Sequence, residues 1–354
     1  MIAVQSDRLI ERRHEGRAAF ATQGDVPRFW GMQKSRKSWS TLTALALGAG
    51  ALAFGNVLAA RRAERKHPPE GSFIEVDGVK LHYRDRGHGP PVVLIHGNAV
   101  TGADWRTSGV EDMLLPHHRV IVFDRPGFGY SERPRDRIWT AGQQAELLFR
   151  ALQQLGIERP VVVGHSWGGI VALSMAVLHE RDLAGVVLVS GYYFWTVRPD
   201  VLPVIIGAIP GLGDLLAYTV SPLLGRLQMP LLKWQMFYPR RRPERFRHDY
   251  SNGMALRPSQ IRATSEDGAL MIPGALAYRG RYEKLRLPVD IIAGERDIVV
   301  FKDRAERLAD TIPGSILHMV PEAGHMVHYT AGSLVAAAVK SMAVYPRERL
   351  RAAE

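Results

Sequence analysis

The sequence predicts an α/β protein: a doubly wound, mostly parallel sheet with a helical cap insertion and an N-terminal hydrophobic helix. Three observations carry this. Short continuous apolar runs alternate with longer amphipathic stretches, the pattern of a parallel sheet covered on both faces. An apolar segment over 191–270, punctuated by prolines such as Pro203, Pro210, Pro222 and Pro230, breaks that alternation and shows no strand pattern. An uncharged run from Thr41 to Ala60 precedes both.

Composition narrows the class. A chain of 354 residues that is 46% hydrophobic and 23% charged is neither disordered nor a polytopic membrane protein. It has no Cys, which removes disulfides, thiolate metal sites and a cysteine nucleophile. Residues 1–70 hold 12 Lys and Arg against 6 Asp and Glu, so this fifth of the chain carries more than half of the net charge of +11. Basic charge gathered beside an apolar run points to a membrane surface rather than to a nucleic-acid groove. No nucleic-acid-binding motif appears, and no nucleic-acid partner is expected.

The elements follow in chain order. Residues 1–40 read as a basic tail, and Met32 is a plausible true start. Residues 41–60 are long enough, at 1.5 Å per residue, to cross a hydrocarbon core of about 30 Å. A membrane anchor is the favoured reading; a cleaved signal segment or a buried helix are the alternatives. Arg61, Arg62, Arg65 and Lys66, directly after the run, weigh against cleavage and export. Gly48-Ala49-Gly50-Ala51-Leu52-Ala53 fits a dinucleotide fingerprint only by letter, since no strand precedes it.

Residues 71–190 form the first part of the core. A hairpin over Phe73–Tyr83 turns at Asp77-Gly78. Strands follow at Val92–Ile95, Val120–Phe123, Val161–Val163 and Val186–Val189, with a helix over Trp139–Leu155 closed by Gly156. After the cap at 191–270, residues 271–345 complete the core with strands at Val289–Ala293 and Ile316–Val320 and helices near Lys302–Ala309 and Leu334–Met342.

The chemistry sits at strand ends. Gly164-His165-Ser166-Trp167-Gly168-Gly169 matches G-x-S-x-G between an apolar strand and a helix, the setting that thrusts a serine out of a tight turn. A serine hydroxyl is a weak nucleophile and needs a base oriented by a carboxylate, in the order Ser, Asp/Glu, His. Asp297, with Glu295 as the fallback, follows one later strand; His325, with His328 close by, follows the last. The backbone N–H groups of Asn98 and Trp167 are the expected oxyanion donors. His96 reads as a residue that packs its loop, and His117-His118 as a surface turn rather than a metal pair. No metal and no cofactor are expected.

His96-Gly97-Asn98, Asp124-Arg125-Pro126-Gly127-Phe128-Gly129-Tyr130-Ser131, Gly164–Gly169, Gly294–Asp297 and Gly324-His325 together resemble the α/β-hydrolase superfamily, in its cap-bearing branch. The resemblance covers about residues 71–345. It implies a Ser166, His325, Asp297 triad and a mainly structural Asp124–Ser131 loop beside the site. Asn98 with Trp167 is similar to the halide-holding pair of haloalkane dehalogenases, but those enzymes carry an aspartate nucleophile. A serine displacing an alkyl group would leave an ether with no carbonyl for water to attack. Ser166 therefore predicts attack on an acyl carbonyl.

The expected function is a serine hydrolase of an apolar or lipid-like ester. Carbon–carbon bond hydrolysis or peroxyacid formation on the same triad, and a non-catalytic binding protein on this fold, are the alternatives. Tyr192 and Trp234, with Asn98 and Trp167, are the candidate substrate contacts, and the apolar cap residues are expected to line or cover the pocket. The run Arg240, Arg241, Arg242, Arg245, Arg247 suits anionic lipid, against the plainer reading of a solvated stretch. The oligomeric state stays open.

Overall fold

The computed structural model describes residues 36–196 and 202–343, so the tail up to residue 35 lies outside the described residues. Among the described residues, the body of the protein begins at Ala46. The chain opens with helix α1 (Arg36–Lys66) and then strands β1 (Ser72–Val76), β2 (Val79–Arg86) and β3 (Pro91–Ile95). Helices α2 (Ala103–Thr107) and α3 (Val110–Leu114) lead to β4 (Arg119–Phe123), α4 (Ala141–Gln154), β5 (Val161–His165), α5 (Trp167–Leu178) and β6 (Gly185–Val189). Six helices come next: α6 (Leu202–Ile205), α7 (Leu212–Tyr218), α8 (Ser221–Phe237), α9 (Glu244–Asp249), α10 (Asn252–Ala255) and α11 (Pro258–Ala269). After α12 (Met271–Ala277), the core closes with β7 (Val289–Gly294), α13 (Asp303–Thr311), β8 (Ile316–Val320), α14 (Val327–Thr330) and α15 (Gly332–Ala343).

The eight strands form one sheet in the order β1-β2-β4-β3-β5-β6-β7-β8. The β1–β2 and β2–β4 pairs are antiparallel and every later pair is parallel. The expected hairpin therefore supplies the antiparallel edge. Alternation along each strand splits the core into two layers. Val93, Ile95 and Val162 face α4 and α5, whereas Val92, Leu94, Val161 and Val163 face α3 and α15. Strands buried on both faces carry no polar residue to give an amphipathic period, which is why they read as continuous apolar runs.

One boundary differs from expectation. The apolar helix does not stop at Ala60: it continues to Lys66, because Ala63 is buried and Glu64 pairs with Arg257 at 2.9 Å. One edge of this last turn and a half packs on the body while Arg61, Arg62 and Arg65 point outward. The final strand, β8, has the expected bounds and lies half-exposed at the sheet edge. The segment over 202–269 is helical throughout its length, joined by short turns, and sits between β6 and β7 as an insertion.

Candidate active site

Ser166 occupies the turn between β5 and α5 with φ 53° and ψ −117°, a conformation that side-chain-bearing residues rarely adopt. Neighbouring glycines make the turn possible. A Cβ on Gly164 would stand 2.2 Å from the Gly168 carbonyl oxygen, and one on Gly168 would stand 2.3 Å from the Ile95 oxygen. The backbone is pinned by the Ser166 N–H donating to the Val189 carbonyl at 2.9 Å.

Three of the predicted residues meet here, although they lie on three separate strand ends. Ser166 Oγ is 2.9 Å from His325 Nε2, and His325 Nδ1 is 2.9 Å from Asp297 Oδ2. Asp297 Oδ1 accepts the N–H groups of Val299 and Val300, both at 2.8 Å. An ionised carboxylate only accepts, so His325 Nδ1 carries the proton and Nε2 presents a lone pair to the serine hydroxyl. Asp297 and His325 are both buried. The alternatives separate cleanly: Glu295 is exposed, and His328 is held by Asp104 at 2.9 Å instead of reaching Ser166.

Of the two expected oxyanion donors, Trp167 follows the serine directly, and Asn98 follows Gly97, where an added Cβ would stand 3.0 Å from Ser166 Cβ. Trp167 is the first residue of α5, whose N–H has no acceptor within its own helix. Asn98 follows β3, the strand paired alongside β5. Its Oδ1 accepts from Arg125 Nη2 at 2.8 Å, which leaves its amide NH₂ as the remaining donor. The Trp167 indole Nε1 is buried without an acceptor among the described residues.

Arg125 is the residue that sequence reasoning undervalued. It is fully buried and contacts the Asp267 carboxylate at 2.6 Å, Gln144 Oε1 at 2.9 Å and the carbonyls of His96 and Gly97 at 2.8 and 3.1 Å. Its backbone N–H donates to His96 Nε2 at 3.0 Å. One guanidinium thereby fixes the whole loop that carries Asn98. Burial, followed by the neighbouring Arg125 charge, pushes the His96 imidazole down to about 4, so it stays neutral and can accept that N–H. His165 lies against His325 and His328, and its Nε2 is 3.1 Å from the His325 carbonyl. Burial, then the fields of His328 and His325, also hold its pKa well below the usual imidazole value.

The other two candidate contacts, Tyr192 and Trp234, have different surroundings. Tyr192 is buried in the main core layer, and its hydroxyl is used by the backbone of Thr196. Trp234 is 53% exposed on the outward face of α8. Of α8, Met236 and Phe237 turn inward, and Met236 accepts the Met326 N–H at 3.1 Å. A cavity of about 230 Å³ lies behind the Asn98 loop, bounded by Lys66, Ala99, Arg106, Tyr250 and Tyr329, and does not include Ser166.

The comparisons place the chain in a family. The chain is 28% identical over 287 residues to haloalkane dehalogenase 2 of Mycobacterium tuberculosis, covering 77% of this chain and 94% of the relative. It is 27% identical over 262 residues to 2-hydroxy-6-oxo-6-(2'-aminophenyl)hexa-2,4-dienoic acid hydrolase of Metapseudomonas resinovorans, covering 72% and 83% of the two chains. A thermophilic esterase from Thermogutta terrifontis superposes with a TM-score of 0.58 at 22% identity, covering 77% of this chain and 97% of that one. The family model described as alpha/beta hydrolase fold matches residues 90–331, and the chain belongs to that family as a hydrolase.

Proposed function

We propose that this protein is a membrane-anchored serine hydrolase that cleaves an ester of an apolar, lipid-like acyl group. The observation that carries the reading is the chain of contacts from Ser166 Oγ through His325 to Asp297. His325 Nε2 takes the hydroxyl proton as Ser166 attacks the acyl carbonyl, and the N–H groups of Asn98 and Trp167 receive the developing oxyanion. His325 then passes its proton to the leaving alcohol. Water, deprotonated by the same nitrogen, resolves the acyl-enzyme, and Asp297 holds the imidazole tautomer throughout. Asn98 Nδ2 and the unpaired Trp167 Nε1 are the groups that would hold a substrate acceptor atom beside the serine. Serine in place of aspartate separates this chain from alkyl-halide chemistry.

The anchor reading rests on α1. Its Thr41–Lys66 stretch is the one helix among the described residues long and apolar enough to cross a membrane. Asn56, inside the apolar run, donates to the carbonyls of Tyr218 and Thr219 at 2.9 and 2.7 Å, a tie to the cap that favours a retained helix over a discarded signal.

Similarity to a dienoic acid hydrolase supports carbon–carbon hydrolysis on the same residues as a second reading. A fluorophosphonate probe and a p-nitrophenyl ester series of graded acyl length distinguish the readings. Labelling that disappears in Ser166→Ala, with turnover rising toward longer acyl groups, is expected. A labelled protein inert to every ester, yet active on a dienone acid, would replace ester cleavage by the second reading. An unlabelled protein would make it a binding protein.

A further inference from the structure

Helix α8 is apolar on the side that faces outward as well as on the side that faces the body. A surface helix turns its apolar stripe inward and its polar face to water. Here Val220, just before the helix, and Leu223, Leu224, Leu227, Leu231 and Trp234 share one face at helical spacing, and that face points out. Leu227 is 78% exposed and Leu231 56%. The inward face is apolar as well, with Pro222, Met229, Met236 and Phe237 buried, so the helix has two apolar sides and only one is covered by protein. The preceding helix α7 extends the patch with exposed Leu215 and Tyr218.

Two further observations say what meets the open side. First, the patch is tied to the apolar helix: Asn56 of α1 is hydrogen-bonded to the carbonyls of Tyr218 and Thr219, the link between α7 and α8. On either side of Asn56, Phe54 and Leu58 of α1 are exposed in the same way. Secondly, the charge along it is mainly of one sign: Asp214 of α7 is paired with Arg135, and Lys233 turns back onto Asn252 and Tyr250. Residues 215–243 contain no Asp or Glu and carry Arg226, Lys233, Arg240, Arg241 and Arg242. An apolar face rimmed by cations suits the boundary between acyl chains and anionic headgroups.

We propose that the outer face of α7 and α8 is a second membrane contact, immersed in the interfacial zone of an anionic bilayer beside the spanning part of α1. The proposal rests on the anchor reading and adds that the cap itself lies in lipid, holding the catalytic body flat on the surface rather than out in water.

The absence of cysteine makes the test direct. Leu227→Cys, Leu47→Cys and Ile316→Cys, each in the full chain, are labelled with an environment-sensitive fluorophore and reconstituted into phosphatidylcholine–phosphatidylglycerol vesicles. Ile316 begins β8, at the opposite end of the strands from His325, and is the aqueous control. The expected result is a blue-shifted label at position 227, quenched by nitroxide-bearing lipids and shielded from iodide, as at 47 and unlike 316. Leu224→Cys repeats the reading on the same face should one variant fold poorly. A label that is lipid-exposed at 47 but iodide-accessible at 227 overturns the cap contact and leaves the anchor standing. Iodide access at both positions removes the anchor and the cap contact together. A blue-shifted label at 227 that is indifferent to nitroxide lipids, with crosslinking between copies through that cysteine, overturns the proposal in favour of a second copy covering the patch.

Discussion

His325 can satisfy both of its contacts in one way only, with a proton on Nδ1 facing Asp297 and a lone pair on Nε2 facing Ser166. That sets the outcome for Asp297→Asn. The remaining oxygen would keep the Val299 and Val300 N–H groups, and the new NH₂ would face Nδ1 and force the other tautomer. Turnover of a p-nitrophenyl ester is expected to fall by about 10⁴-fold with little change in thermal midpoint. Ser166→Ala is expected to lose at least as much while the protein stays folded. Two other buried imidazoles, those of His96 and His165, act on stability. His96 is pushed down to about 4 in the folded state, whereas an unfolded histidine titrates near the ordinary value of 6.5. A group depressed in this way contributes fully above the unfolded value. Its contribution is lost as pH falls toward the folded one, because the unfolded chain binds the proton first. His165 acts in the same direction. Melting midpoints are therefore expected to decline between pH 6.5 and pH 4, and His96→Asn should flatten part of that decline in a pH series of thermal melts.

Between elements, the buried Arg125 joins four of them: the ends of β3 and β4, α4 through Gln144, and α11 through Asp267. Asp267 also accepts from Arg133 at 3.0 Å and from Gln144 Nε2 at 3.0 Å. Removing one partner strands a charge away from water, and Asp267→Asn is expected to cost about 3–5 kcal/mol in urea unfolding. The same variant should slow ester turnover, because Arg125 would release the loop that carries Asn98. The contrast with the triad shows what sequence can and cannot reveal. Ser166, Asp297 and His325 were legible because each sits at a strand end inside a local signature and because their order along the chain is constrained. Arg125 and Asp267 are 142 residues apart and no local pattern links a loop arginine to a helix aspartate. Asp104 with His328 was hidden for the same reason, 224 residues apart. The strands were legible as continuous apolar runs; their order in the sheet was not, because no residue pattern fixes which strand lies beside which.

At the scale of the whole chain, the apolar cap was the least readable part. A run rich in Leu, Met and Trp says that a segment avoids water, not which of its faces is covered, so Trp234 pointed as plausibly inward as outward. The extension of α1 past Ala60 was equally opaque, since Arg61 and Arg62 look like the end of an apolar span unless one knows that Ala63 lands on the body. The full chain is expected to resist alkaline carbonate extraction from membranes; complete release of uncleaved protein would contradict the anchor. Asn56→Ala should leave the protein in the membrane fraction but lower the stability of the body by about 1–3 kcal/mol, since two carbonyls lose their donor. Differential scanning calorimetry in detergent measures that directly. The Asn56 clamp carries a last consequence. An enzyme on a floppy leash sweeps a dome of solution around its attachment point, whereas a strut bolted to the cap leaves almost no vertical reach. On the proposed reading the protein hunts for substrate in two dimensions. Its rate should then follow the mole fraction of substrate within the lipid sheet and be blind to how many vesicles are suspended in the tube.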